Sequence, residues 1–346
     1  MKPIVVCFIA LCTLACVCSC QRVDNEHLQW IPKVPRTIPQ CNPIAEREKV
    51  SFPDVRGVNT GTTCPNSDKW LNGFSQYVRT PPNIVVVGCN KGVDAVRLFA
   101  QYDGRSTPYR LGDWQSELIK HGTHGGVCGQ VYNAKELQKP REMYLNSQRK
   151  PNVFCVEPMP ANVKLLKDVA TATQIPHQFE ILPYAVGVSQ WPRQLPFPNA
   201  GAGTEHLGLD QKYLTYRTNS EVRTVMVNAT TVDHLFDKTK VDMLLVDTEG
   251  NDPLVLLGAS KVLRRVSYLE FENHGVGEWK TFKLRTIIDY LDNLYFDCWW
   301  TTNSGTLVRI TRCWHKDYAS VKTWSNIACA KRFDDWWNVM NTLASS

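Results

Sequence analysis

The chain has 346 residues, which suits one large domain with additions better than two large domains. Hydrophobic residues make up 43% and charged residues 21%, proportions that exclude a disordered chain and permit a sizeable core. The net charge of +6 is spread without long Lys/Arg runs, so the concentrated basic stripe of a nucleic-acid binder is missing.

Lys2 precedes an apolar run from Ile4 to about Val17, followed by Cys18-Ser19-Cys20. The run is short for a membrane span and suits the apolar region of a secretory signal, so residues 1–20 are read as a signal peptide. An uncleaved anchor in a Golgi or ER membrane is the alternative, and only then is membrane contact expected. Leu14-Ala15-Cys16 is also lipobox-like. Residues 21–78 are rich in Pro and turn formers and read as an irregular N-terminal extension.

Regular elements then alternate. Asn83 to Val87 is a β-branched run that ends at Gly88, and Gly92 to Ala100 carries Val93, Val96, Leu98 and Phe99 at helical spacing. A segment of about 101–151 follows, too long for an ordinary connection; with its glycines, His121, His124 and Cys128 it is either a lid or a structural elaboration. Asn152 to Val156 is a second strand, Pro160 to Ala172 a helix, and Phe179 to Val186 a third strand. Val241 to Val246 is a fourth strand, Pro253 to Leu263 a helix, and Val266 to Phe271 a fifth strand. Tyr295 to Thr302 and Thr306 to Arg312 flank Asn303-Ser304-Gly305, a hairpin signal. Ser325 to Leu343 reads as a helix with Trp336, Trp337 and Met340 on one stripe, inside a tail of residues 316–346.

Buried strands alternating with helices predict an α/β fold, a mostly parallel sheet with helices on both faces. The main domain is expected over residues 79–315.

The 13 cysteines include Cys7, Cys12, Cys16, Cys18 and Cys20 in the leader. The body keeps an even set, Cys41, Cys64, Cys89, Cys128, Cys155, Cys298, Cys313 and Cys329, which in an exported chain suggests disulfides. Cys41–Cys64 and a bridge among Cys298, Cys313 and Cys329 are the first pairs expected, whereas Cys89 and Cys155 read as buried thiols. The body has no Cys-x-x-Cys pair, so a zinc cluster is not expected. Asn228-Ala229-Thr230 is a glycosylation sequon. The Trp-rich C-terminus, from Trp299 to Trp337, reads as core packing, with sugar stacking as the alternative.

Four segments carry chemistry. In Val85-Val86-Val87-Gly88-Cys89-Asn90-Lys91-Gly92, glycines at the carboxyl end of a strand let backbone pass close to a nucleotide-type ligand. In Val153-Phe154-Cys155-Val156-Glu157-Pro158, an acid at the end of strand two can accept both ribose hydroxyls. Glu157 lies well past the spacing of about 20 residues that a dinucleotide fingerprint uses, and the long insertion accounts for the difference. In Asp242 to Gly250, Asp247 and Glu249 sit just past a buried strand, placed for gripping a ligand or moving a proton. In Tyr268-Leu269-Glu270-Phe271-Glu272-Asn273-His274, alternation puts Glu270 and Glu272 on one face, and His274 is a candidate general base.

In this order the segments resemble the FkbM family of methyltransferases. Val86-Val87-Gly88-Cys89-Asn90-Lys91-Gly92 is similar to the family's first motif, and Glu157-Pro158-Met159-Pro160 to its second. Thr231-Val232-Asp233, then Asp242 to Gly250 and Val255-Leu256-Leu257-Gly258-Ala259, resemble the later ones. The resemblance covers about Asn83 to Asn273. It implies a Rossmann-like class I methyltransferase, with a mostly parallel seven-stranded sheet closed by an antiparallel hairpin. It further implies S-adenosylmethionine as cofactor and transfer of methyl to a hydroxyl of a sugar or other small natural product. Gly88, Asn90, Gly92, Glu157, Ala185 and Asp247 would bind the cofactor, and Asp247, Glu249, Glu272 and His274 would be catalytic. No metal is expected, because no ligand set completes Asp247. The expected partner is a small-molecule or glycan acceptor in the secretory pathway, and no nucleic acid. One departure stands out: the family's first-motif Asp is Val86 here. The alternative is therefore a non-catalytic binding or trafficking module of the secretory pathway.

Overall fold

A computed structural model describes residues 4–6, 21–23, 41–49, 67–77, 80–103, 111–123, 150–188, 193–204, 223–302 and 304–345. The chain divides into two units, Met1–Gln40 and Cys41–Ser346. The first contains two short strands, β1 (Ile4–Val6) and β2 (Gln21–Val23), paired antiparallel. Among the described residues no helix is long and apolar enough to cross a membrane.

The second unit is built on an eight-stranded sheet. Its strands are β3 (Asn83–Val87), β4 (Asn152–Val156), β5 (Phe179–Leu182), β9 (Met243–Val246), β10 (Tyr268–Asn273), β11 (Phe296–Thr301), β12 (Leu307–Arg309) and β13 (Ser325–Lys331). The spatial order is β12-β11-β13-β10-β9-β3-β4-β5. From β10 to β5 every pairing is parallel, while β13 runs antiparallel between β10 and β11. Central strands such as Asn83–Val87 and Met243–Val246 are apolar without alternation because both faces are covered. On one face Ile84, Val86, Val153, Cys155, Met243 and Leu245 join the main core cluster.

Five helices load that cluster, one of them the helix Pro160–Ala172 through Leu165, Leu166 and Val169. The other four are α2 (Asp68–Tyr77), α3 (Val93–Tyr102), α4 (Leu111–Lys120) and α9 (Asp335–Ser345), with α1 (Pro43–Glu48) preceding them. They contribute Trp70, Phe74, Phe99, Trp114, Trp336 and Met340. The Pro160–Ala172 helix is α5, and the remaining helices are α6 (Val232–Leu235), α7 (Asp252–Leu257) and α8 (Leu284–Asn293). A three-stranded sheet of β6 (Ala185–Val186), β8 (Thr224–Thr230) and β7 (Arg193–Pro198) stands apart, with Met159, Phe197 and Val227 in its own apolar cluster.

The structure corrects several expectations. Ser325–Lys331 is strand β13 and not the start of a helix; the helix begins at Asp335. The sheet thus has eight strands and continues past residue 315, with the β11–β12 hairpin at its edge. Phe179 to Val186 is broken at Pro183-Tyr184, since proline offers no N–H to continue a ladder, and Ala185 belongs to the smaller sheet. The predicted irregular stretch 21–78 contains the α2 helix, whose Trp70, Leu71 and Phe74 are buried. Within the long insertion, α4 buries Leu111, Trp114 and Leu118, so this part is structural; His124 and Cys128 lie outside the described residues. Cys41 bonds Cys313 rather than Cys64, which lies outside the described residues; Cys298 bonds Cys329, and Cys89 and Cys155 form a disulfide rather than free thiols. Trp299, Trp300, Trp336 and Trp337 are buried, as packing requires.

Candidate functional site

Strands β4 and β9 flank β3, and the chain crosses over in opposite directions from it. Open α/β sheets place ligands in the crevice beyond strand ends at such a reversal. Here that crevice is a cleft with about 680 Å³ of empty volume, open mouth included, lined by Gly88, Asn90, Glu157, Met159, Ala185, Phe197, Asp247 and Glu249 among others.

The loop after β3 needs its glycine. Gly88 has φ +82°, and a Cβ there would strike the Asp247 carbonyl from the end of β9. Asn90 also adopts positive φ, at +46°, which Asn tolerates better than most residues. The loop is tied to β4 and the turn after it. Gly88 N–H and Cys89 N–H donate to Val156 O at 3.0 and 3.1 Å, and Asn90 N–H donates to Glu157 Oε2 at 2.8 Å. Gly92 caps α3, and a Cβ there would meet Leu166 at 2.8 Å and Trp114 at 2.9 Å. It is a packing glycine, outside the residues that line the cleft.

Glu157 is buried. Its Oε1 accepts Met159 N–H at 2.9 Å and the Asn162 amide at 3.3 Å. Burial pushes its carboxyl up, and the bonds from Met159, Asn90 and Asn162 pull it partly back. Asn162 was not singled out from the sequence. It joins the elements by taking Gly203 N–H at 2.8 Å on Oδ1. Its signal was a polar residue on the buried face at the start of a helix. Phe197 and Thr204, also in the cleft wall, lie in a stretch without a motif.

On the far wall stand two carboxylates, with buried ones behind them. Asp247 and Glu249 line the cleft, and Glu249 holds φ +51°, a conformation that costs a non-glycine residue about 1 kcal/mol or more. Glu272 and His274, at and just beyond the end of β10, are buried behind them. Burial, then the charges of Asp247, Glu249 and Asp252, hold Glu272 well above the ordinary carboxylate range, and it hydrogen-bonds Asp247. Glu270 is separate: it takes the hydroxyl of Tyr268 at 2.6 Å.

Glu249, Glu272 and His274 bring one possible ligand atom each to within 4.8 Å of one another. The protonation pattern works against a metal. His274 Nδ1 accepts Val276 N–H at 3.1 Å, so the neutral ring carries its proton on Nε2. A ligating imidazole has the reverse arrangement, a bare nitrogen on the metal and an N–H on the other side. For the same reason His274 is not placed as a general base. Its Nε2–H faces Glu272 Oε2 at 3.9 Å, and its ring stacks on Trp324 at 4.8 Å.

The strand order, the glycine loop at the reversal and the acid ending the neighbouring strand define a Rossmann-like class I methyltransferase fold. The family model of the methyltransferase FkbM domain matches residues 122–298, just over half of the chain. The chain belongs to the FkbM methyltransferase family. The match includes Glu157, Asp247, Glu249, Glu272 and His274 and begins beyond the Gly88–Gly92 loop.

Solved structures similar to the chain include a protein of the NADB-Rossmann superfamily from Streptococcus agalactiae, at 9% identity and TM-score 0.30, covering 76% of this chain and 68% of that one. Another is a SAM-dependent methyltransferase from Agrobacterium tumefaciens, at 9% identity and TM-score 0.31, covering 76% of this chain and 59% of that one. Likeness this slight says nothing of what the chain does. No curated protein matches the chain.

Proposed function

We propose that the chain is an S-adenosylmethionine-dependent O-methyltransferase acting on a hydroxyl of a sugar or other small natural product. The observation that carries the reading is the opposition of two acidic sites across one cleft, Glu157 on one wall and Asp247 with Glu249 on the other. The donor set suits the cofactor: Glu157 accepts three bonds within the protein and keeps a lone-pair site on Oε2 for a ribose hydroxyl, and Met159, Ala185 and Phe197 offer an apolar wall for a flat ring. Gly88 and Asn90 let the loop approach the methionine portion.

The cofactor supplies an electrophilic methyl on a sulfonium. The chain must align an acceptor hydroxyl and remove its proton. Asp247 and Glu249 face the cleft and would hold that hydroxyl. Asp247 takes the proton, and Glu272 behind it shares the charge through their hydrogen bond. His274 contributes its Nε2–H toward Glu272 and is a positioning residue. The three disulfides among the described residues suit an oxidising compartment, so we place the protein in the secretory pathway, secreted or in the Golgi or ER lumen, with a small-molecule or glycan acceptor.

A second reading, a non-catalytic module on the same fold, is favoured by one observation. Val86, buried in β3 between Leu245 and Cys155, leaves no carboxylate at that point of the first motif. Titration calorimetry with S-adenosylmethionine separates the two, since absence of heat at millimolar cofactor removes the enzyme reading. Mass spectrometry of hydroxylated glycans after incubation with methyl-labelled cofactor then identifies the acceptor.

A further inference from the structure

We propose that the Cys89–Cys155 disulfide is a positioning element of the cofactor site: it clamps the Gly88–Gly92 loop onto β4 so that Asn90 and Glu157 meet in binding geometry. The inference rests on the cofactor reading above.

The bond lies where the backbone ladder stops. Strands β3 and β4 pair from Asn83↔Asn152 to Val87↔Val156, and Cys89 is the second residue beyond that ladder. Its partner Cys155 is the penultimate residue of β4, two before Glu157. The Cα atoms are 5.3 Å apart, ordinary for a disulfide. Without the bond, three hydrogen bonds tie the loop to β4 and its turn, Gly88 N–H and Cys89 N–H on Val156 O and Asn90 N–H on Glu157 Oε2, and Trp114 Nε1–H on Lys91 O at 2.8 Å anchors its far end to α4.

The loop's course depends on its fastenings. Gly88, Asn90 and Gly92 have φ of +82°, +46° and +74°. The two glycines reach these values without strain and are equally free to leave them. Contacts therefore hold the loop in place, and the clamp adds a covalent one. It also closes a span of 66 residues containing the long insertion, which restricts the unfolded chain. Both sulfurs lie in the main core cluster, so the pair packs from below and leaves the cleft side of the loop to ligand. Opening it takes two electrons and two protons. A dithiol such as dithiothreitol supplies them, becoming a cyclic disulfide as Cys89 and Cys155 become thiols.

The test compares the intact protein with Cys89→Ala/Cys155→Val, using Cys298→Ala/Cys329→Ala as the control for loss of a disulfide elsewhere. Hydrogen exchange of the cofactor-free proteins is read first. Amides of residues 88–92 in the clamp variant should exchange at least tenfold faster, while those of β9 keep their rates. Calorimetry with S-adenosylmethionine should then show Kd at least tenfold higher in the clamp variant alone, with kcat unchanged at saturating cofactor. Unchanged exchange in the loop, or equal Kd in clamp and control variants, overturns the proposal. If no form binds the cofactor, the function reading fails, while the exchange result still decides the clamp. Should the double variant not fold, partial reduction of the intact protein, mapped by alkylation of Cys89 and Cys155, gives the same two readings.

Discussion

Glu272 Oε2 lies 3.9 Å from His274 Nε2, with Asp247 and Glu249 between this pair and the open cleft. Glu272 is pushed well upward by burial and by three neighbouring carboxylates. A proton on Glu272 weakens Asp247 as a base, because the two share it. Methyl transfer should therefore fall as pH drops through the raised range of Glu272. Glu272→Gln removes the titrating group and leaves Asp247 a permanent hydrogen-bond donor beside it. The expected result is a kcat lower by about 10²-fold or more, with the acid limb of the pH–rate profile moved to lower pH. An acid limb that stays in place would exclude Glu272 from proton transfer.

Glu157→Gln should weaken the cofactor and spare the chemistry. Asn90 N–H and Met159 N–H both aim at carboxylate oxygens, and the amide of Gln would turn a donor toward one of them. A loss of about 1–3 kcal/mol in cofactor binding is expected, roughly tenfold to a hundredfold in Kd. In the unmodified protein the affinity should also fall as pH drops through the raised range of Glu157, since only the carboxylate accepts on both oxygens. Calorimetry across pH reads both effects. Equal Kd for the two proteins removes Glu157 from the site.

What could be read in advance follows from local physics. The central strands announce themselves as apolar runs because helices cover both of their faces. Gly88, Asn90, Glu157, Asp247 and Glu249 were legible because each follows such a run, where open sheets place ligands. Strand β13 was not, since Asn326-Ile327-Ala328-Cys329-Ala330 mixes small residues without alternation and the Trp336, Trp337, Met340 stripe extends a helical period over it. Cys41 and Cys313 are 272 residues apart, and only the folded chain brings α1 to that edge. Gly92 resembled a ligand glycine because backbone space is needed in both cases, and the packing of Leu166 and Trp114 tells them apart. His274 showed a titratable ring but not its tautomer, which the Val276 N–H decides.

Asp252 makes the fold sensitive to pH in a defined direction. It accepts Thr248 Oγ1 and Gly250 N–H at 3.2 Å and Glu272 N–H at 3.3 Å, and burial pushes it up to about 7. A carboxyl raised in the folded state holds its proton there after the unfolded chain has lost it. Its contribution is complete below about pH 4 and is lost as pH rises toward 7. The full difference is on the order of 4 kcal/mol. Denaturant midpoints from pH 4 to 8 should fall more steeply for the unmodified protein than for Asp252→Asn. Parallel curves would show that Asp252 does not carry the effect.

Asp297 on β11 is fully buried and joins three elements of the C-terminal region. Its Oδ2 takes Arg309 Nη2 of β12 at 2.9 Å and Trp337 Nε1 of α9 at 2.7 Å, and its Oδ1 takes Arg332 Nε at 2.8 Å. Arg332 directly follows β13, so one carboxylate links the antiparallel end of the sheet to the last helix. Removing it strands the buried Arg309 guanidinium and one indole N–H, while Arg332 keeps Asp292 and the Phe296 carbonyl. Such a loss typically costs about 3–5 kcal/mol, because an uncompensated charge remains. Asp297→Ala should lower the denaturation free energy by that amount and leave the cofactor Kd of the folded fraction unchanged, since the residue lies outside the cleft lining. A loss below about 1 kcal/mol, the scale of an exposed pair, would show that the carboxylate is not what secures these elements.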